Sequence, residues 1–171
     1  MTLGGLFLRP VFRRVVVQAL ARAFDGRIIA EVGVYRGRSA RWVARAAPHS
    51  PLHLFDTFAG MPPTLALDSH KEGDFARTSM QLVRRRVPRA WIHRGLFPYS
   101  VPDGGILPAF VHLDGDLYAT TKAALALWPD ATFLVDDYGA TTCRGCRQAV
   151  SESGRTVIAL PTEQALVLRG E

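Results

Sequence analysis

Short apolar runs alternate along this chain with longer stretches in which apolar residues recur at helical spacing. The apolar runs predict strands, and the amphipathic stretches predict helices. The predicted strands are residues 28–33, 52–56, 90–93, 109–113 and 132–135. The predicted helices are residues 8–24, 39–47, 75–87, 118–128 and 143–151. Continuously apolar strands that alternate with helices are typical of a parallel sheet covered on both faces.

The end of the chain has a different pattern. Residues 156–160 and 164–168 are β-rich runs separated only by a short turn with Pro161, which predicts a closing antiparallel hairpin. The fold class is therefore α/β: a doubly wound, mostly parallel seven-stranded sheet with a C-terminal antiparallel hairpin. We expect a single domain over residues 1–171, in which residues 1–26 form an amphipathic helix that covers one sheet face through Val11, Val15, Leu20 and Phe24.

The chain is basic, and its charge comes from arginine. The formal net charge is +6, and Lys71 and Lys122 are the only lysines. Surface arginine that maintains solubility is one explanation; an acidic substrate or weak nucleic-acid contact is the other. Nucleic acid is the minor alternative, because no aromatic stacking pattern surrounds the run of arginines at residues 84–86. The N-terminal apolar segment is interrupted by arginines, so we expect no membrane segment and a cytoplasmic protein.

Two cysteines, Cys143 and Cys146, form one C-x-x-C pair. A structural zinc site needs a second pair, and a thioredoxin-like motif would lie near the first strand. We therefore interpret them as reduced thiols at a helix start near the active site, without a metal or redox function.

Acidic residues stand at or near the ends of four predicted strands: Glu31, Asp56, Asp114 and Asp136. In open α/β sheets, ligands bind beyond the carboxyl ends of the strands, so we expect these acids to converge on one rim. Their mutual repulsion must be offset by a cation or by protonation.

The first strand leads into a turn with Gly33 and Gly37, four residues apart. Tyr35 stands where a dinucleotide fingerprint would have its second glycine, which disfavours a pyrophosphate and favours an amino-acid-like moiety. Helix packing alone is an alternative explanation of such a turn. Asp56 is placed to accept hydrogen bonds from two ribose hydroxyls, so together these features suggest a nucleoside cofactor.

The strongest signal is the pair of acidic motifs at residues 111–118 and 133–139. They bring Asp114, Asp116, Asp136 and Asp137 to one rim, which provides carboxylate oxygens for an octahedral cation such as Mg²⁺. Helix N-capping would explain Asp116 but not all four acids.

These motifs resemble the macrocin O-methyltransferase family of antibiotic-sugar methyltransferases. The resemblance covers roughly residues 28–152 and also includes residues 31–39, 55–62, 73–75, 93–98 and 146–150. The resemblance implies an S-adenosylmethionine-dependent, Mg²⁺-assisted O-methyltransferase that acts on a hydroxyl of a small molecule, such as a sugar of a natural-product glycoside. The implied metal ligands are Asp114, Asp136 and Asp137, with Asp116 as general base. The implied donor-binding residues are Glu31, Gly33, Gly37 and Ser39 at the methionine end, Asp56 at the ribose, and Gly95 and Leu96 near the adenine.

Members of this family usually have a longer N-terminal helical section before the first strand. The identity of the acceptor and the presence of the usual homo-oligomer are therefore left open. Two other functions remain as alternatives. A non-catalytic donor-binding or nucleic-acid-associated module would fit the short basic chain, and a nicotinamide-dependent oxidoreductase would use a similar sheet.

Overall fold

The computed structural model describes residues 3–170, with side chains from residue 10 onward. Its strands are β1 (Ile29–Val32), β2 (Leu52–Asp56), β3 (Trp91–Arg94), β4 (Phe110–Leu113), β5 (Thr132–Val135), β6 (Val157–Ala159) and β7 (Ala165–Val167). Its helices are α1 (Leu3–Ala23), α2 (Arg38–Ala46), α3 (Met80–Arg86), α4 (Tyr118–Leu127) and α5 (Arg144–Glu152).

The strands form one seven-stranded sheet in the order β3-β2-β1-β4-β5-β7-β6. The first five strands pair in parallel, and β7 pairs antiparallel with both β5 and β6. The predicted fold class, including the closing hairpin, is confirmed. The chain runs outward in one direction through β1, β2 and β3 and then returns to β4 beside β1. The carboxyl ends of β1 and β4 therefore flank the topological switch point, where open α/β sheets bind their ligands.

Side chains alternate between the two faces of the sheet along each strand, and this produces one hydrophobic layer on each face. Leu54 and Phe110 pack on the side that contains the buried residues of α1, α2 and α3, whereas their neighbours Phe55 and Val111 pack on the other side with residues of α4 and α5. Successive strand side chains point to opposite faces, so each short strand contributes to both layers. All four residues are fully buried.

Helix α1 covers the sheet, and of the four predicted contact residues Leu20 and Phe24 pack against the core, but Val11 and Val15 do not. Val17 and Ala21 are buried, whereas Val11 and Val15 are 57% and 52% exposed. The prediction followed a pattern of apolar residues that was only partly helical in spacing. The stripe through Val17 and Ala21 has the four-residue spacing that brings side chains onto one helical face.

Helix α3 begins at Met80, five residues later than predicted. The side-chain oxygen of Ser79 accepts a hydrogen bond from the Leu82 N–H at 3.2 Å and caps the helix. Phe75 has a positive φ of 61°, which a right-handed helix does not permit. Residues 57–79 instead form a long loop beside the carboxyl end of β2.

None of the helices in the described part of the chain is long and apolar enough to cross a membrane.

Candidate active site

A cavity of about 300 Å³ opens at the carboxyl ends of β1, β2, β4 and β5. Its apolar walls include Val32, Phe55, Phe97 and Leu117, and the long loop contributes Met61 and Phe75. Its polar groups include Asp56 on one side and the four motif acids on the other, namely Asp114, Asp116, Asp136 and Asp137. Apolar walls with a few convergent polar groups are typical of a small-molecule site.

Gly33 allows the end of β1 to approach the end of β4. Its φ is +85°, and a Cβ at this position would overlap the backbone carbonyl of Asp114. Only glycine satisfies both conditions without displacing the acidic turn. The glycine predicted at the donor's methionine end is therefore also required by the packing of the site.

The Asp56 carboxylate organises the turn after β1. One oxygen accepts hydrogen bonds from the N–H groups of Val34 and Tyr35 at 2.8 and 2.7 Å, and the other accepts from Phe58 N–H at 2.7 Å. A carboxylate has about four acceptor positions, so about one remains for a ligand. Asp56 thus links the glycine turn, its own loop and the cavity wall.

A buried polar chain runs beneath the rim from α2 to β5. Ser39 donates a hydrogen bond to fully buried Glu31 at 2.7 Å. His112 lies between the Glu31 and Asp136 carboxylates, with nitrogen–oxygen distances of 3.6 and 3.7 Å. Burial alone would lower the pKa of His112, but the interactions with Asp136 and Glu31 outweigh it and raise that pKa well above its ordinary value.

Asp114, Asp136 and Asp137 form the acid cluster, in which one carboxylate oxygen from each residue lies within 4.8 Å of the others. Burial, and then the charge of Asp136, raise the pKa of Asp114 well above its ordinary value. Burial also acts to raise the pKa of Asp136, but interactions with His112 and Arg13 lower it overall. The uncharged, protonated form of Asp114 is therefore favoured unless a cation compensates the charge of the carboxylate.

Arg13 of α1 provides a positive charge to this cluster. Its guanidinium contacts Asp136 at 3.1 Å and Asp137 at 2.6 Å, and its Nε donates to the carbonyl of Thr162 at 2.9 Å. Glu163 accepts a further contact from the guanidinium at 3.3 Å. The N-terminal helix is thereby joined to the loop before β7 and to the acids after β5.

The acid cluster has the chemistry of a Mg²⁺ site. Three carboxylates from two adjacent strand ends supply hard oxygen ligands, and a bound cation would favour the ionised form of Asp114 that burial and the charge of Asp136 disfavour. Arg13 contacts only one oxygen of Asp136 and one of Asp137. The donor set fits a divalent cation, provided that the guanidinium moves from these two carboxylates.

Asp116 lies apart from the cluster, on the turn that leads into α4. Its φ is +57°, a conformation that aspartate tolerates better than most residues. Burial and the charge of Asp137 raise its pKa to about 6. His70 from the long loop lies 3.9 Å from one carboxylate oxygen, and the Cys143 thiol donates to the other at 3.4 Å. Asp116 is thus poised to exchange a proton near neutral pH.

His70, Asp116 and Cys143 could also supply ligands to a cation. Burial raises the pKa of the Cys143 thiol and raises that of Cys146 to about 12, so both thiols stay protonated near neutral pH. A thiolate is the form that binds metals and reacts as a nucleophile. Both thiols are buried and free, at the start of α5, which agrees with the placement expected from sequence.

Eight of the eleven predicted site residues line the cavity: Gly33, Asp56, Gly95, Leu96, Asp114, Asp116, Asp136 and Asp137. The other three are close by but do not line it. Glu31 is buried, Gly37 starts α2 against Val83, and Ser39 faces a second groove between α1 and α2.

Sequence reasoning missed His70, which lies beside Asp116, and three further residues of the site. Arg13 appeared only as an interruption of an apolar segment, and Gln164, which donates to Asp136 at 2.6 Å, only as the start of a strand. His112 had a usable signal, because it is a polar residue inside an otherwise apolar strand.

The geometry agrees with a known family. The family model described as Macrocin-O-methyltransferase (TylF) matches residues 8–159, which is most of the chain. The chain belongs to the macrocin O-methyltransferase family. It is accordingly an S-adenosylmethionine-dependent O-methyltransferase. No curated protein matches the chain.

Solved structures share the fold of this macrocin O-methyltransferase family member. CalS11, a calicheamicin methyltransferase, superposes with a TM-score of 0.76 at 19% identity, over 95% of this chain and 79% of that one. A second CalS11 structure, described as a TDP-rhamnose 3'-O-methyltransferase, gives a TM-score of 0.66 at 18% identity, over 94% and 80%. The O-methyltransferase TomG from Streptomyces achromogenes gives 0.61 at 19% identity, over 92% and 80%.

Proposed function

We propose that this protein transfers the methyl group of S-adenosylmethionine to a hydroxyl of a natural-product sugar, assisted by Mg²⁺ at the acid cluster. The observation that carries the proposal is the placement of this cluster and Asp116 on the wall of the cavity at the switch point. A donor in that cavity and an acceptor at the acids would meet at one rim. This proximity can supply a large part of the rate acceleration.

Asp56 and Gly33 would define the donor's position. Asp56 lines the cavity and is fixed by three backbone hydrogen bonds, so its remaining acceptor position would take one ribose hydroxyl and not the two expected from the sequence. Gly95 and Leu96 lie on the same cavity wall, where we place the adenine. The buried Glu31–Ser39 pair, just below the rim, would hold the backbone around the methionine end.

Asp114, Asp136 and Asp137 would hold the cation. When bound, Mg²⁺ supplies positive charge that lowers the pKa of the acceptor hydroxyl and fixes the position of its oxygen. Gln164 would orient Asp136 from the protein side, because it donates a hydrogen bond to it at 2.6 Å, and His112 lies 3.7 Å from the same oxygen. Such supporting contacts keep a ligand carboxylate in its binding geometry.

Asp116 would accept the proton of the acceptor hydroxyl. Its raised pKa keeps it basic enough for this role, yet above pH 6 it is mostly deprotonated. Asp116 is not in the three-acid cluster, and beside the Cys143 thiol its carboxylate keeps acceptor positions for the hydroxyl of the substrate. The motif with Asp114 thus supplies a metal ligand and a base two residues apart.

A sugar acceptor in natural-product biosynthesis is supported by two comparisons. The family takes its name from the methylation of macrocin, and CalS11 is described as acting on TDP-rhamnose. We also propose that residues 1–171 act as one domain in the cytoplasm.

Two experiments test this proposal. The first is calorimetric titration with S-adenosylmethionine, with and without Mg²⁺. The second is a product-mass screen of natural-product glycosides and nucleotide-linked sugars. We expect donor binding, and a product one methyl group heavier only when Mg²⁺ is present. Donor binding without methylation of any acceptor would favour a non-catalytic module. Failure to bind the donor would contradict the proposal altogether.

A further inference from the structure

A second groove, of about 610 Å³, lies between α1 and α2 and shares Tyr35, Asp114 and Asp136 with the donor cavity. We call it the arginine groove, because seven arginines line it: Arg13, Arg14, Arg36, Arg38, Arg41, Arg45 and Arg86. The only acids in its lining are Asp114 and Asp136. The groove therefore has one acidic end, at the site of methyl transfer, and basic walls elsewhere.

Most of this positive charge is uncompensated. Arg13 pairs with the acid cluster, but among the described residues no carboxylate lies within 4.0 Å of the other six arginines. Arg14, Arg36 and Arg86 donate only to neutral oxygens, namely a side-chain amide and two backbone carbonyls. An excess of guanidinium groups in one groove creates a strongly positive local potential.

The arginines of α2 repel one another along one face of the helix, although Arg45 in the last turn interacts favourably with the helix dipole. Arg38, Arg41 and Arg45 follow at spacings of three and four residues, so they share one face and repel one another. Arg38 also lies in the first turn, where cations are unfavourable, and Gly37 provides no side-chain cap to the helix. An anion bound in the groove would remove both unfavourable terms.

The extent of the charge exceeds what the donor's single carboxylate requires. Seven residues separate Arg38 from Arg45, which corresponds to roughly 10 Å along a helix. Ser39 and Arg38 lie at the rim end, close to the proposed methionine position, whereas Arg41 and Arg45 lie one and two turns further along α2. Arginine forks match the geometry of phosphate oxygens particularly well.

We propose that the arginine groove binds a phosphate or diphosphate group of the methyl acceptor, so that the substrate is a phosphorylated or nucleotide-linked sugar. Its hydroxyl would lie at the acidic end, and its phosphoryl oxygens would lie against Arg41 and Arg45. This inference rests on the proposed function, because it assigns the substrate class of the same site.

Binding of inorganic pyrophosphate, uridine diphosphate and uridine tests the groove without relying on turnover. Calorimetry would compare the parent chain with the double variant Arg41→Ala/Arg45→Ala. The matched control is Arg84→Ala/Arg85→Ala on α3, which removes the same charge from exposed arginines outside the groove lining. S-adenosylhomocysteine is titrated into all three proteins to monitor the donor cavity.

We expect pyrophosphate and uridine diphosphate to bind the parent, and uridine to bind much more weakly. The groove variant should lose roughly tenfold or more in affinity for both phosphates, because each charged hydrogen bond contributes substantially. The control should change less than about twofold, apart from screening by salt. Affinity for S-adenosylhomocysteine should be unchanged in both variants.

Three results would overturn the inference. In the first, the parent protein binds neither pyrophosphate nor uridine diphosphate. In the second, the control loses as much affinity as the groove variant, which would indicate an effect of diffuse charge. In the third, the groove variant loses affinity for S-adenosylhomocysteine, which would assign the arginines to the donor's carboxylate. Each is separable from failure of the proposed function, which appears instead as absent donor binding or absent methyl transfer to every acceptor.

Discussion

The contact of Arg13 with the acid cluster predicts competition between a side chain and a metal ion. The perturbation is Arg13→Met, which keeps an unbranched side chain but removes the charge and its contacts to Asp136 and Asp137 at 3.1 and 2.6 Å. The Arg13 side chain is 22% exposed, so solvent screens these contacts only partly. Charged hydrogen bonds in such a setting contribute about 2 kcal/mol in total to the free energy of unfolding, after the cost of desolvation is included.

Two opposite effects follow from that magnitude. Without divalent cations, Arg13→Met should lower the free energy of unfolding by about 2 kcal/mol, which corresponds to about 4–8 °C in Tm for a chain of this size. With Mg²⁺ or Mn²⁺ the variant should recover, because the metal no longer has to displace the guanidinium. The same 2 kcal/mol then appears as an affinity for the metal that is about 30-fold higher than in the parent.

The assay is thermal unfolding across a Mg²⁺ titration, together with the electron paramagnetic resonance signal of free Mn²⁺ to measure affinity directly. Arg14→Met serves as the matched control, because Arg14 is exposed on the same helix and donates only to Gln18. A metal affinity that is unchanged or lower in Arg13→Met would refute the competition. Equal gains in both variants would indicate general electrostatics instead.

Three further predictions concern the remaining groups. Asp116→Asn should retain donor and metal affinity but lose on the order of 10²–10⁴ in turnover, and steady-state kinetics with calorimetry would reveal a different role if metal affinity fell instead. Asp56→Asn should weaken S-adenosylmethionine binding by about 1.5–3 kcal/mol by calorimetry; an unchanged Kd would remove Asp56 from the donor site. The raised pKa values of Cys143 and Cys146 favour the protonated thiol. Alkylation by iodoacetamide should therefore be slow at pH 8 and accelerate as the pH rises. Rapid labelling of the folded protein at pH 8 would contradict this prediction.

Local signals in the sequence were sufficient for the sheet. Most of the parallel strands are short, largely apolar runs, and β5 was predicted with its observed bounds, Thr132–Val135. The acids that follow β4 and β5 reach one rim because parallel neighbours align their carboxyl ends. Their assembly could therefore be predicted without any tertiary information.

The missed residues depend on distant contacts. Arg13 meets Asp136 across 123 residues of sequence, and no periodicity in α1 indicates such a pair. The start of α3 was wrong because amphipathic spacing continued through Phe75, whereas Ser79 provides the cap. The arginine groove depends on how α1 packs against α2, which the composition alone does not reveal.

The most direct test of the account is methyl transfer by protein stripped of divalent cations with a chelator and then resupplied with Mg²⁺. Isotopically labelled S-adenosylmethionine and a panel of natural-product glycosides and nucleotide-linked sugars would be used, with product mass as the readout. The account predicts labelled product only after Mg²⁺ is restored, and none with Asp136→Ala under either condition. Product formed at the same rate in the stripped protein would contradict metal-assisted transfer at the acid cluster.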